Sequence, residues 1–253
     1  MTSHNITSIL TLLNDTIVNN FTVQLKIPSL EEGEISIKPL NISQQKSLIS
    51  LTSEKNVYNS KFLEIIFNII KENYLSNDLL NINDLTVLDK TFITLALRAS
   101  INPVIGGNNI LEHIKDTNIN SLKISPSTFT ADTIKIVCGL PTILQELECE
   151  HSKTIIDNEN ISKNLQQIIS ESILVEITKY IKHIYINDNF IDMTSMIFTE
   201  KQNIIEALPA VVLEQVLQYI LDSKKKIENI LKFTDTNNQP FVVTIDSNFF
   251  ATA

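Results

Sequence analysis

The strongest constraint on the fold is an apolar stripe with helical spacing in residues 82–100. Asp84 lies at the start of this segment, Arg98 lies in its last turn, and Asn102 and Pro103 follow directly, as is typical of the two ends of a helix. The stripe consists of residues three or four positions apart, namely Leu85, Leu88, Phe92, Leu95 and Ala99. This spacing puts them on one face of a 3.6-residue helix. The segment therefore predicts a helix that faces the core.

Arg98 is the only arginine among the 20 basic residues of the chain. Its planar guanidinium group offers a rigid fork of hydrogen-bond donors that a lysine lacks. We therefore expect a structural role, in which Arg98 pairs with a carboxylate or binds backbone carbonyls at the end of its helix.

The segment before this helix predicts a β-hairpin followed by two helices. Residues 21–27 and 34–39 alternate between apolar and polar side chains, which is typical of half-buried strands, and Gly33 supplies a permissive backbone for the turn between them. Ser43 is a candidate N-cap for the first helix, and an apolar stripe indicates a second helix over residues 60–74.

Residues 101–155 predict a small β region, because the helical period disappears and short β-like runs replace it. These runs cover residues 122–124, 133–137 and 145–151. The break at Gly139, Leu140 and Pro141 puts Cys138 at the end of a strand.

The rest of the chain predicts mainly helices. One long helix is expected over residues 161–186, and Pro209 either starts a later helix or kinks a continuous pair. A β-like run follows at residues 241–245. The solvent-facing residues of these helices are expected to be Glu171, Glu176, Lys179, Lys182 and the run Lys224, Lys225 and Lys226.

Together these patterns predict an α+β fold with three parts. Residues 1–20 are an N-terminal arm or short helix, and residues 21–155 are an α+β body of a hairpin, helices and a small β region. Residues 156–253 are a mostly helical C-terminal lobe with a β-like tail.

Composition and motifs argue against several classes of function. A net charge of -9 without interleaved basic and aromatic residues disfavours nucleic-acid binding, and no apolar run reaches the roughly 18 residues of a membrane span. Two cysteines are too few for a disulfide framework. The chain has four glycines and no catalytic or phosphate-binding motif, so we expect no enzyme, no cofactor and no small-molecule substrate.

A zinc site is a weak alternative. Cys138, Cys149 and His151 are three residues of the type that binds zinc. The ten-residue gap between the cysteines and the lack of a fourth ligand argue against such a site, so we expect no metal and interpret both cysteines as buried or half-buried thiols.

Six segments of the chain, taken in order, carry a resemblance to a known family. They read VQLKIPS, EISIKPLNISQQKSLISL, LTVLDKTFITLALRASI, IKIVCGLPT, ILVEITKYIKHIYI and IIEALPAVVLEQVLQYI. Over about residues 21–222 this order resembles the baseplate hub subunit and hub-assembly proteins of T-even-like contractile-tailed bacteriophages. The most specific parts are Pro28 in Ile-Pro-Ser, Pro39 in Lys-Pro, and the segment from Asp89 to Ser100 that contains Arg98.

These are structural signatures, and the resemblance includes no catalytic motif. Some relatives carry extra cysteines after the segment with Arg98, where this chain has residues 102–109 without any, so a metal site does not transfer.

The resemblance implies a late phage protein that acts in the host cytoplasm to build the central hub of the tail baseplate. Its partners would be other hub or tail proteins, with a second copy of the chain as a further candidate. It would either stay in the virion baseplate or leave as an assembly factor. One alternative is a chaperone for another tail component, such as the tape-measure protein, which would be absent from the mature virion. The other is an enzyme or metal protein that the motifs do not reveal.

Phe249 and Phe250, close to the C-terminus, are the candidate partner-binding residues. Aromatic residues contribute disproportionately to protein interfaces, and the β-like run before them could extend the sheet of a partner. The alternative is that both rings close the core of the protein itself.

Overall fold

The computed structural model describes residues 6–30, 32–51, 58–75, 80–159, 165–187 and 189–251. In these ranges the α-helices are Ile6–Phe21 (α1), Ile42–Ser50 (α2), Tyr58–Asn73 (α3), Val87–Ala99 (α4), Ile110–Asp116 (α5), Ile119–Leu122 (α6), Ile143–Glu159 (α7), Leu165–Tyr180 (α8), Phe198–Glu206 (α9) and Ala210–Ile230 (α10). The strands are Val23–Leu25 (β1), Ile35–Ile37 (β2), Tyr74–Leu75 (β3), Val104–Ile105 (β4), Asn108–Asn109 (β5), Ser127–Ala131 (β6), Ile134–Cys138 (β7), Ile181–Ile186 (β8), Asn189–Asp192 (β9), Lys232–Thr234 (β10) and Pro240–Val242 (β11). Helices and small antiparallel sheets are both present, which confirms the α+β class.

The predicted core helix is α4, and all of its residues except Lys90 are buried. The helix begins after Thr86, whose side chain accepts a hydrogen bond from the backbone N–H of Asp89, while the Asp89 carboxylate accepts one from the backbone N–H of Thr86. This capping box fixes the N-terminus. Asp84, predicted to start the helix, lies in a short 3-10 turn before it.

The predicted hairpin is formed by β1 and β2, which pair with Leu25 opposite Ile35. Gly33 has a φ of 94°, so the turn uses a conformation that favours glycine. A third strand, β3, adds to β2. The next helix, α2, begins at the N-cap Asn41 instead of Ser43, because Asn41 and Gln44 form a capping box.

A four-stranded sheet with the order β6-β7-β8-β9 connects distant parts of the chain. In its centre Ile136 on β7 lies opposite Ile184 on β8. Asp132 and Asn187 have positive φ angles of 51° and 47° in the turns between the paired strands. The strands β6 and β7 come before the predicted boundary at residues 155 and 156, and β8 and β9 come after it. The division into three parts stays a prediction, and the sheet takes strands from both sides of that boundary.

Two of the predicted β-like runs are wrong. Residues 145–151 belong to α7, which starts where Thr142 and Gln145 exchange hydrogen bonds between side chain and backbone. This exchange is a capping box with glutamine in place of glutamate, and it outweighs the β-like composition. Residues 122–124 contain the end of α6 and no strand.

The long helix predicted over residues 161–186 is also corrected. Residues 161–164 lie outside the described ranges. From Leu165 the helix α8 runs to Tyr180, and the rest of the segment is β8. Pairing of β8 with β7 and β9 on its two sides overrides the helical spacing of its isoleucines. Pro209 starts α10 as its N-cap, so α9 and α10 are separate helices.

Two main clusters of buried apolar residues form the core. The first contains α4, the β1–β2 hairpin, and residues from the end of the chain, including Phe233, Phe249 and Phe250. The second lies between the four-stranded sheet and the helices α8, α9 and α10. The first cluster therefore joins the β1–β2 hairpin and α4 to the C-terminal end of the described chain.

The N-terminal helix α1, one of the two alternatives for residues 1–20, buries none of its residues. Its large apolar side chains are exposed instead, among them Leu10, Leu12 and Leu13. Residues 1–5 lie outside the described ranges. None of the helices that the structure describes has the length and apolarity needed to cross a membrane.

Candidate functional site

Asp89 connects the start of α4 to the turn after β1. Its carboxylate accepts hydrogen bonds from the backbone N–H of Ser29 at 3.0 Å and from the backbone N–H and hydroxyl of Thr86, both at 2.7 Å. The Ser29 hydroxyl donates a further hydrogen bond. Asp89 is fully buried, and Pro28 directly precedes its partner Ser29. This arrangement gives Asp89 a structural contact at the position that the sequence singles out.

Arg98 is 7% exposed and holds the other end of α4. Its Nη1 donates a hydrogen bond to the backbone carbonyl of Asn102 at 2.6 Å, and the guanidinium carbon lies 5.9 Å from the centre of the Phe249 ring. Burial lowers the pKa of Arg98. Its Nε has no hydrogen-bond partner among the described residues. The contact with a carbonyl is one of the two expected from the sequence.

Pro39 lies at a junction between β2 and α3. The side-chain amide of Asn73, which is buried at the end of α3, donates hydrogen bonds to the backbone carbonyls of Lys38 and Pro39, each at 3.1 Å. A proline has no backbone N–H, so its carbonyl is the group that remains for such a contact.

The interpretation of Phe249 and Phe250 as surface anchors requires correction. Phe249 is 7% exposed and Phe250 is fully buried, and both belong to the first core cluster. Their burial matches the alternative, in which both rings close the protein's own core. The strand β11 pairs with β10, so one edge of the β-like run before them is already used within the chain. Both rings are therefore inaccessible to a partner at the surface of the folded protein.

A cleft of about 370 Å³ lies where α3, α4, α7, α8 and α10 meet, and we call it the central cleft. Its apolar side chains are Phe62, Leu63, Ile66, Val87, Pro141, Ile227 and Ile245. Acidic and basic side chains also face it, namely Lys90, Glu146, Glu150, Glu176, Lys179 and Lys224. The lining residues extend in sequence from Phe62 on α3 to Ile245 after β11.

The charges of the central cleft are arranged in pairs. Lys179 is only 6% exposed, and its ammonium group contacts Glu150 at 2.7 Å and Glu176 at 2.9 Å. Glu176 also contacts Lys224 at 2.8 Å. This row of alternating charges links α7, α8 and α10. A separate pair between Lys90 and Glu146 links α4 to α7.

These contacts set the protonation states. Burial opposes the charged form of Lys179, but the Glu176 and Glu150 carboxylates outweigh it and raise the pKa of this lysine. Burial likewise opposes ionisation of Glu176, but Lys179 and Lys224 hold its pKa below the ordinary value. Burial raises the pKa of Tyr180 at the same cleft. At neutral pH Lys179 is therefore protonated, Glu176 is ionised and the phenol of Tyr180 is neutral.

The sequence alone did not identify this site. Glu176 and Lys179 were expected on a solvent-facing surface, but Lys179 is buried and paired. The spacing of Glu176 and Lys179, three residues apart on one helix, is the single local signal of the ion pair. Lys224 is exposed as expected, and it also contacts Glu176. The partner Glu150 comes from another helix, and no sequence pattern indicates it.

The two cysteines lie near a second group of lysines. Burial raises the pKa of both the Cys138 and Cys149 thiols to about 12, so they stay protonated at neutral pH. Burial and the neighbouring Lys201 lower the pKa of Lys182 to about 8. Within the described part of the chain, no group of three or more His, Cys, Asp or Glu side chains could hold a metal ion.

Comparison with known proteins adds no relative to these observations. No protein-family model, no curated protein and no solved structure matches the chain.

Proposed function

We propose that the protein is a non-enzymatic component in the assembly of the central hub of a phage tail baseplate, where it acts through protein–protein contacts. The observation that carries this proposal is the central cleft, in which paired charges surround apolar side chains. Other hub or tail proteins are the proposed partners, and the host cytoplasm is the proposed place of assembly.

The chemistry of the central cleft suits binding better than catalysis. A general acid or base must change its protonation state near the operating pH. The ion pairs shift the pKa of Lys179 and of Glu176 away from neutrality, so neither group is prepared for proton transfer. A lysine that stays protonated is also a poor nucleophile. The proposal therefore assigns the cleft no reaction.

The same arrangement fits the uptake of an apolar side chain from a partner. Binding pockets are mostly apolar, with a few placed polar groups that fix orientation, and protein interfaces combine an apolar centre with a polar rim. Leu63 and Ile227 are half-buried in the central cleft and would contact such a side chain. The paired charges around them would form the rim. The proposal that the partner is a hub or tail protein rests on the sequence resemblance.

Two substitutions in the central cleft and one matched control test this proposal. Ile227→Gln and Leu63→Gln place an amide among its apolar side chains, whereas Leu221→Gln makes the same kind of change on α10 at a side chain that is 60% exposed and outside the cleft. Tagged variants would be expressed during infection, and the co-purified proteins would be measured by quantitative mass spectrometry. We expect hub or tail proteins to fall about tenfold with both cleft variants, which corresponds to about 1.4 kcal/mol. Leu221→Gln should retain them.

The melting curve of each variant shows first that the protein is folded. If folded cleft variants recover tail proteins as well as the wild type does, the central cleft is not the binding site. If the wild type recovers no hub or tail protein, the assembly role is wrong. Mass spectrometry of purified virions separates a permanent hub component from the alternative chaperone, which would be present in the lysate complex and absent from the particle.

A further inference from the structure

The helix α1 has an apolar surface that the described chain does not cover. None of its residues is buried. Its large apolar side chains are more than half exposed at Ile6, Ile9, Leu10, Leu12, Leu13 and Phe21. Such a concentration of exposed apolar side chains on one element marks an interaction surface.

Four of the apolar residues in α1 form a narrow seam. Ile6, Leu10, Leu13 and Ile17 follow one another at steps of four, three and four residues. This is the spacing of the alternating a and d positions in a coiled coil. Ile17, at the C-terminal end of the seam, is half-buried, and the other three are exposed. Asp15, the single charged residue of the helix, falls on the opposite side.

We propose that α1 is a self-association helix, whose apolar seam packs against the α1 seam of a second copy of this chain. The positions that flank the seam of a coiled coil decide which partners can pair. In α1 they are occupied by Thr7, Ile9, Asn14 and Thr16, and none of them is charged. Two copies of this helix can therefore pair without repulsion between like charges, although the whole chain has a net charge of -9.

The charge of α1 also argues against two other occupants of the seam. Helices that lie on a membrane surface are rich in lysine and arginine on their polar face, and α1 contains neither. A different helix with charged residues beside its seam would place those charges against neutral side chains of α1. A second copy brings only neutral flanks to the contact, so no charge is left without a partner there.

The length of α1 gives a further reason for pairing. Its 16 residues span about 24 Å at 1.5 Å per residue, close to the length at which isolated helices are marginally stable in water. Most helices gain their stability from packing of an apolar face. The described body does not bury this face, and a second copy would bury it in a symmetric contact in which the same residues face each other.

Two adjacent leucines provide a matched test in the full-length protein. Leu13 lies in the seam and is 54% exposed, whereas Leu12 is 63% exposed and lies about 100° around the helix from it. Sedimentation equilibrium would measure the mass of the wild type, Leu13→Glu and Leu12→Glu over a range of concentrations. We expect the wild type to show at least twice the monomer mass of 28.6 kDa. Leu13→Glu should raise the dissociation constant at least about tenfold, and Leu12→Glu should change it by less than about threefold.

Three results would overturn this proposal. One is a wild-type protein that stays monomeric at high micromolar concentration. Another is an equal effect of both substitutions, which would mean that the seam does not direct the contact. The third is a photo-crosslinker at Leu10 that joins another phage protein, or a vesicle of anionic lipid, instead of a second copy. The melting temperature of Leu13→Glu at a concentration where the wild type is monomeric shows whether the body remains folded. These outcomes are independent of the partner that binds the central cleft.

Discussion

Individual residues fix the two ends of α4 in different ways. At its N-terminus the Asp89 carboxylate accepts hydrogen bonds from Ser29 and Thr86, so the helix is joined to the turn after β1. At its C-terminus Arg98 binds the carbonyl of Asn102 and lies against the ring of Phe249. The buried helix therefore connects the hairpin near the start of the chain to the tail near its end.

We predict that Arg98→Lys destabilises the protein by about 1–3 kcal/mol. A lysine places a compact charge in a buried position and cannot combine a planar stacking surface with a directed donor. Thermal melts would measure the change. Lys225→Ala, at an exposed position of α10, is the control and should alter stability by less than about 0.5 kcal/mol. Equal melting temperatures for both variants would mean that Arg98 has no structural role.

Among the elements, α7, α8 and α10 are held together by alternating charges. Glu150, Lys179, Glu176 and Lys224 form a row that crosses all three helices. Lys179 is buried in the middle, so loss of one carboxylate leaves its charge with fewer partners.

We predict that Glu176→Gln destabilises the protein by about 1–3 kcal/mol at pH 7, because Lys179 then keeps only Glu150 among its two carboxylate partners. The effect should depend on pH. The pKa of Glu176 in the folded protein lies below the ordinary value of 4.5, so the unfolded chain binds more protons between the two values. Stability from this group is therefore present above about pH 4.5 and is lost as the pH falls through the folded pKa.

Urea titrations at pH 7 and at several values below pH 4.5 would measure this difference. The control is Glu214→Gln, which changes an exposed carboxylate on α10. The difference between the wild type and Glu176→Gln should shrink with acidification. A constant difference down to pH 3 would show that the charge of Glu176 is not responsible.

Local patterns predicted some elements, and distant contacts decided the others. The helix α4 was predictable because its apolar spacing and terminal residues agree within one short segment. The helix α7 was missed because the sequence that follows its capping residues Thr142 and Gln145 is largely polar and has no apolar stripe of helical spacing. The strand β8 was assigned to a helix because its isoleucines continue the spacing of α8. Its pairing with β7, which lies more than 40 residues earlier, cannot be read from a local period.

The central cleft was beyond sequence analysis for the same reason. Its charged residues extend from Lys90 to Lys224 and are brought together only by packing of the helices. The sequence did single out Arg98, because a unique arginine is a local signal, and the resemblance to a known family singled out Asp89. Burial of Phe249 and Phe250 depends on a core more than a hundred residues earlier in the chain, so position near the terminus was a poor guide to exposure.

At the scale of the whole molecule, the C-terminal segment of the described chain packs against the β1–β2 hairpin and α4. Phe233, Phe249 and Phe250 belong to the cluster that contains the β1–β2 hairpin and α4. The side-chain amide of Gln45 on α2 donates a hydrogen bond to the carbonyl of Phe250 at 3.3 Å. The C-terminal segment is thus part of the N-terminal core.

We predict that Phe250→Ala destabilises the protein by about 3–5 kcal/mol, because it removes a fully buried ring and leaves a cavity. For a protein of this size each kcal/mol lowers the melting temperature by about 2–4 °C. Differential scanning calorimetry would measure the loss. Phe21→Ala removes an equal ring from an exposed position and should leave the transition almost unchanged. An intact transition in Phe250→Ala would show that the tail is not part of the core.

The place of Phe250 also sets an order of events during synthesis. The ribosome makes the hairpin and α4 first, and it reaches the ring that completes their core only at residue 250. At about 5–20 residues per second, the growing chain waits roughly 10–45 s between Leu25 and Phe250. During that time the apolar surface that Phe250 later covers is open to water and to other nascent chains. Until Phe250 has been translated, this core stays incomplete, whichever helices have already formed.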